Sequence, residues 1–282
     1  MKIVPISKEI HREWSYIGLT DYLPTRNDAL VPIVIAEITR LISTNPIIFV
    51  EETDLGVFSL QGLTPGRNLM VNEKGKWLGD YIPARYRSMP FVLANDSNNK
   101  NKNNEKILCF IDGLDCVAQS FKQKSTKIFK DDKPELSDDM KRVFEFLQSI
   151  DQNEKITKQA LETIREANVL EDWTISLKLS DGEKKFSGLK KVNIEKLKSL
   201  SGKTLEKMNK TGGLDICFAS NLSLNNLDKL RNFVISSAAQ KESNHNENPI
   251  ETIRDRTIKK QKEAKKEEMD NLVRNLLLDD EI

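Results

Sequence analysis

The sequence predicts an α+β fold: an antiparallel or mixed sheet with flanking helices, followed by a protruding C-terminal helix. Three observations predict it. Trp173, Ile175, Leu177 and Leu179 alternate with polar residues, the period-two pattern of a half-buried strand. Val34, Ile35, Ile38, Leu41 and Ile42 recur at helical spacing. Beyond Pro249 the chain is strongly charged, with apolar residues only at scattered helical positions such as Met269, Leu272, Val273 and Leu276.

The elements follow in order. The helix at Val34–Ile42 is ended by Asn45-Pro46, because the residue before proline avoids helical backbone angles. Ile47 to Glu51 reads as a strand, Asp54-Leu55-Gly56 as a turn and Val57 to Gln61 as its hairpin partner. Thr64-Pro65-Gly66 has the composition of a type II turn. Arg67 to Asn72 reads as extended, Glu73 to Lys76 as a turn and Trp77 to Ile82 as the return. Pro83 suits the first position of a short helix through Tyr86, and Pro90 limits its length. The Asn-rich segment 95–106 is a polar loop with little apolar surface to order it. Ile107 to Asp112 is a strand that needs a sheet to join.

Ser137 is placed to cap a helix, with Asp138 and Asp139 favouring its dipole and Val143, Phe144 and Leu147 forming its apolar face. A second helix spans about Thr157 to Asn168. After the strand at Trp173–Leu179, Asp181-Gly182 is a hairpin turn and Phe186 to Val192 the return. Asn193 caps a helix through Leu197. Leu214 to Ala219 reads as a further strand, and a helix from about Ser223 to Ile235 closes the globular part. The expected domains are a globular body over 1–237, a flexible linker over 238–248 and a charged amphipathic helix over 249–282.

Composition narrows the function classes. The 282 residues carry 44 basic and 43 acidic side chains, a net charge of +1. A surface built to follow a polyanion is not expected, so no nucleic-acid partner is expected. The longest apolar runs, near Val31–Ile35 and Ile47–Val50, fall far short of the roughly 20 residues of a membrane span. No basic region followed by a long apolar run opens the chain, so a cytoplasmic location is expected. Cell-surface location by non-classical export is the alternative. Cys109, Cys116 and Cys217 show no Cys-x-x-Cys spacing, and two lie in apolar runs, as buried small hydrophobes do.

The densest segment runs from Leu63 to Phe91. Its elements are Gly66-Arg67-Asn68-Leu69, Gly75-Lys76-Trp77, Tyr81-Ile82-Pro83-Ala84 and Arg87-Ser88-Met89-Pro90-Phe91. They are preceded by Pro46-Ile47-Ile48-Phe49 and followed by Leu108-Cys109-Phe110-Ile111-Asp112. Together they resemble the SapC family of bacterial proteins over roughly residues 1–235. Ile128-Phe129-Lys130-Asp131-Asp132 is a later echo, where Lys133 stands in place of the family's usual glycine. The Asn-rich loop and the long C-terminal helix look like additions. The resemblance implies a surface-layer association and brings with it no catalytic residues.

Within that segment, Asn68, Trp77, Tyr81, Arg85 and Arg87 are the candidate ligand-binding residues. A helix N-terminus with arginines can hold a carboxylate or phosphate, and Trp77 and Tyr81 could form a platform. The competing reading is structural. Arg87 would pair with Asp80 or Asp112, Trp77 and Tyr81 would pack, and Asn68 would bond local backbone.

Catalytic chemistry finds few parts. His11 and His245 are the two histidines, too few for a histidine metal cluster. A Ser-His-Asp arrangement could use only His11. Lys210-Thr211-Gly212-Gly213 lacks the glycine spacing of a phosphate loop. The acidic pairs Glu51-Glu52 and Asp131-Asp132 read as solvated turn residues. No catalytic residue, metal or cofactor is expected. The expected function is non-enzymatic: binding of a protein partner, or self-association through the C-terminal helix. The alternative is a small anionic-ligand or peptide module centred on Trp77–Arg87.

Overall fold

A computed structural model describes residues 2–95, 106–121, 124–130, 135–179 and 182–234. The chain divides into two units, Met1–Arg231 and Asn232–Ile282. The expected linker 238–248 and helix 249–282 lie outside the described residues, as does 96–105 of the Asn-rich loop.

The strands are β1 (Lys2–Pro5), β2 (Ser15–Tyr16), β3 (Leu30–Pro32), β4 (Ile47–Glu51), β5 (Leu55–Leu60), β6 (Phe91–Asn95), β7 (Lys106–Asp112), β8 (Val117–Ala118), β9 (Thr126–Lys127), β10 (Leu170–Leu179) and β11 (Gly182–Val192). The helices are α1 (Lys8–His11), α2 (Ile38–Leu41), α3 (Ala84–Arg87), α4 (Asp138–Ala167), α5 (Ile194–Lys198), α6 (Gly202–Thr211) and α7 (Gly213–Ser223). Among the described residues they form three antiparallel sheets, ordered β1-β7-β6, β10-β11-β4-β5-β3 and β8-β2-β9. The fold is therefore α+β. Asn95 pairs with Lys106, so the Asn-rich segment joins two neighbouring strands of one sheet.

Two apolar clusters among the described residues help to hold the first unit. One lies on the five-stranded sheet, where Ile47, Phe49 and Val57 meet Leu41, Ile164, Met208, Ile216 and Cys217. The other joins Phe91 and Phe110 to Ile128, Met140 and Leu147. Helix α4 serves both: Met140 and Leu147 belong to one cluster, Ala160, Leu161 and Ile164 to the other. At 30 residues it is about 45 Å long.

The sequence suggested two helices here, because residues 148–156 carry no clear apolar face. The structure has one. Gln148 to Ile156 contains no proline or glycine, and Gln148, Gln152, Glu154 and Lys155 are good helix formers. Asp151 further ties the middle of the helix, accepting from Lys155 one turn on (2.9 Å) and from Lys106 on β7. The N-cap is as expected: the Ser137 hydroxyl accepts the Met140 N–H (3.2 Å) and donates to the Lys127 carbonyl (2.6 Å). Replacing Ser137 by alanine is expected to cost about 1 kcal/mol, read as a thermal midpoint lowered by about 3 °C. An unchanged midpoint would show the cap to be redundant.

Three other expectations are corrected. Leu214 to Ala219 is not a strand but part of α7. A short buried apolar run has no period that separates strand from helix. Here Ile216, Cys217, Ala219 and Ser220 are buried. The hydroxyls of α7 also serve β4: Ser220 donates to the Ile47 carbonyl (2.7 Å), and Ser223 accepts the Ile47 N–H (2.8 Å). The hairpin expected over Arg67–Ile82 is reduced to one bridge, Val71 with Trp77. Side chains take the ladder's place: Asn68 Oδ1 accepts the Met70 N–H, and Asn72 Oδ1 accepts those of Lys74 and Lys76. The helix expected over Val34–Ile42 opens as a tight turn at Ile35–Glu37 and is α-helical only over α2. Its opening is set by Glu37, whose Oε2 accepts the Val34 N–H (3.1 Å). At the far end, Leu224–Asn226 form a 3-10 turn and residues 227–234 are helical.

Candidate functional site

The Trp77–Arg87 segment is organised around a carboxylate that sequence reasoning passed over. Glu37 is buried. Its Oε1 accepts the Tyr81 hydroxyl (3.0 Å) and the Ala84 N–H (2.6 Å), while Oε2 takes the Val34 N–H. One side chain thus pins the start of α3 to the turn before α2. The signal was present in the sequence: a lone acid inside the run Val31-Pro32-Ile33-Val34-Ile35-Ala36-Glu37-Ile38. A buried carboxylate is costly unless donors surround it, and here three do.

Tyr81 extends the network outwards. Its hydroxyl accepts from Arg87 Nη2 (3.0 Å), and Arg87 Nε donates to the Ile82 carbonyl (3.0 Å). The guanidinium also lies 5.4 Å from the Tyr81 ring and 5.0 Å from the Phe146 ring, within cation–π range. Arg87 therefore pairs with a phenol, a carbonyl and two rings in place of Asp80 or Asp112. Burial and the neighbouring Glu37 carboxylate push the Tyr81 phenol above its ordinary range, so it remains a proton donor.

Trp77 is half-buried. Its indole N–H donates to the Tyr81 carbonyl (3.1 Å), and its ring meets Tyr22 at 5.4 Å and Tyr86 at 5.7 Å, both edge-on. Tyr86 is buried and donates to Asp28 Oδ2 (3.1 Å). Burial raises both the Tyr86 phenol and the Asp28 carboxyl. Tyr22, Asp28, Tyr86 and Phe146 are thus partners that the motif alone did not reveal.

The five candidate residues fall into three environments. Trp77, Tyr81 and Arg87 come together in the network above. Asn68 is buried elsewhere, bonding the Thr25 carbonyl (3.1 Å) and the Met70 N–H (2.9 Å). Arg85 is exposed, and its side chain makes no hydrogen bond, ion pair or ring contact among the described residues. Leu23 and Leu78, chain neighbours of Tyr22 and Trp77, are also exposed. Two exposed leucines and an unpaired guanidinium thus lie on the chain that carries the paired aromatic layer.

A cavity of about 320 Å³ lies elsewhere, lined by Ile33, Leu55 and Val57 on one side and Thr157, Lys158 and Leu161 of α4 on the other. No group of three metal-ligating side chains occurs among the described residues. The three cysteines are free and buried. Burial raises each thiol, that of Cys217 to about 12, which keeps its nucleophilic thiolate scarce at neutral pH. No helix among the described residues is long and apolar enough to cross a membrane.

A family model, SapC, matches residues 6–230. No curated protein and no solved structure matches the chain.

Proposed function

The chain belongs to the SapC family, and from that premise we propose a non-enzymatic role: binding another macromolecule as a surface-layer-associated or accessory protein. What supports this reading is the outer face of the Trp77–Arg87 segment. Leu23, Leu78 and Arg85 are exposed on the chain that carries the Tyr22–Trp77 ring pair, and the Arg85 side chain is unpaired among the described residues. Preorganised aromatic residues and arginine dominate the energetics of protein interfaces. Residues 249–282, amphipathic by sequence, would add a second contact with a protein partner or another copy.

The test is co-sedimentation of the purified full chain with cell envelopes of its own bacterium. Arg85→Glu and Leu78→Ser, both at exposed positions, are each expected to weaken binding by about tenfold with an unchanged melting temperature. Equal binding by parent and variants would overturn the role of this face. Protease treatment of intact cells locates the protein. Protection is expected for a cytoplasmic accessory, whereas digestion would place it at the cell surface.

A second reading uses the same segment. The unpaired Arg85 guanidinium suits a carboxylate or phosphate, as in a small anionic-ligand or peptide module. Saturable binding of a carboxylate-bearing peptide, lost in Arg85→Glu and indifferent to Leu78→Ser, would select it.

A further inference from the structure

Strand β10 is the outermost strand of the five-stranded sheet, and among the described residues β11 is its one strand partner. It is ten residues long, without proline. An edge of that length leaves a row of peptide N–H and C=O groups open to another strand, a liability that folds ordinarily blunt. The opposite edge shows such blunting: β3 has three residues and ends in Pro32.

The bulge in the β10–β11 ladder leaves β10 regular. Trp173 pairs with Leu189 and Ile175 with Phe186, so the extra residue falls in β11, where Gly188 has φ +81°. Along β10, Trp173 and Ile175 accordingly face inwards, Ile175 being 3% exposed. Asp172, Thr174 and Ser176 face solvent.

The order of residues on this edge is self-complementary. From Asp172 it reads Asp-Trp-Thr-Ile-Ser-Leu-Lys. Two copies related by a two-fold axis perpendicular to the sheet keep the same face up, so inward positions must oppose inward ones. With Ile175 on the axis, Trp173 stands opposite Leu177, Thr174 opposite Ser176 and Asp172 opposite Lys178. Each class meets its match: apolar with apolar, hydroxyl with hydroxyl, acid with base. Moving the axis to Thr174 sets Glu171 opposite Leu177 and Leu170 opposite Lys178, which loses the match. Asp172 lies on the outside of the strand with 91% of its side chain exposed, although Lys190 reaches it at 2.8 Å. It remains open to a second cation.

We propose that β10 is a self-association edge, pairing antiparallel with β10 of a second copy in the register that centres on Ile175. The two five-stranded sheets then become one continuous sheet of ten strands. The backbone groups of each edge find partners, and cross-strand pairs set the register. This interface uses none of the residues of the Trp77–Arg87 segment.

The test is sedimentation equilibrium of the full chain with two charge reversals, Asp172→Lys and Lys178→Asp. The parent is expected to form a dimer. By symmetry each variant places like charges opposite each other twice, so each alone should dimerise about tenfold more weakly. A mixture of the two variants sets lysines opposite aspartates at both ends, and heterodimers should form with the parent's affinity. Loss of the Asp172–Lys190 bond alone would not be rescued by mixing. Circular dichroism and melting of each variant verify the fold. A parent that stays monomeric at about 100 μM, far above the Kd of a specific dimer, would overturn the proposal. So would a dimer indifferent to both reversals. If that dimer disappeared when residues 249–282 were removed, self-association would belong to the C-terminal segment instead.

Discussion

Glu37→Ala is expected to destabilise the protein by about 3–5 kcal/mol, among the largest effects of any single substitution in it. The carboxylate is buried and accepts three hydrogen bonds, from the Val34 and Ala84 backbones and the Tyr81 hydroxyl. Hydrogen bonds to a charged group contribute about 1.5–3 kcal/mol each, and donors left buried without partners cost about 1–3 kcal/mol. These figures overlap, because shortening the side chain admits some water and relaxation. Thermal unfolding should show a midpoint lowered by about 10 °C. Tyr81→Phe removes one of the three donors and should cost about 1 kcal/mol. If Glu37→Ala melted within about 2 °C of the parent, the carboxylate would not be what holds α3 to the turn before α2.

Gly62→Ala should cost about 3 kcal/mol, near the upper end for overpacking. A Cβ at this position would stand 1.8 Å from the Arg67 carbonyl oxygen, and backbone cannot swing aside as a side-chain tip can. The other side is held too, since the Gly62 N–H donates to the Ala29 carbonyl (3.1 Å). The chain around Arg67 would have to move, carrying Asn68 and the loop that leads to Trp77. Gly66 provides the contrast. It has φ +74°, and a Cβ there meets nothing within 4 Å, so alanine should cost only about 1–2 kcal/mol of backbone strain. Urea unfolding of the two variants side by side separates a steric demand from a conformational one. Equal losses would show that the close approach at Gly62 relaxes without cost.

Legibility in the sequence followed the range of the interaction. Ser137 capping α4, Asn193 capping α5 and the alternation through Trp173 and Ile175 all depend on neighbours within a few positions. Each was readable, because backbone geometry converts a local pattern directly into a face or a cap. The segment from Leu63 to Phe91 stood out for the same reason, and the family it resembles is the family whose model matches. Leu214–Ala219 is not legible because a six-residue run with five apolar side chains suits a strand or a buried helix equally well. Only the place of α7 against β4, with Ser220 and Ser223 bonding Ile47, decides between them. The continuity of α4 was hidden for a related reason: its middle turns owe little to an apolar face.

The candidate site divides along the same line. The sequence by itself determined an α+β chain of the SapC family, the strands β4, β5, β7, β10 and β11, the caps of α4 and α5, and the segment in which the aromatic residues and arginines gather. The tertiary structure alone decided what those side chains do. Glu37 lies 44 residues from Tyr81 and Phe146 lies 59 residues from Arg87, yet both belong to one network. It also decided that Asn68 turns inwards while Arg85 is left free, and that β10 rather than β11 is the open edge. The physical reason is common to all of these. Charges and hydrogen-bonding groups choose partners by proximity in the folded chain, and sequence periodicity reports only the side of an element on which a residue lies.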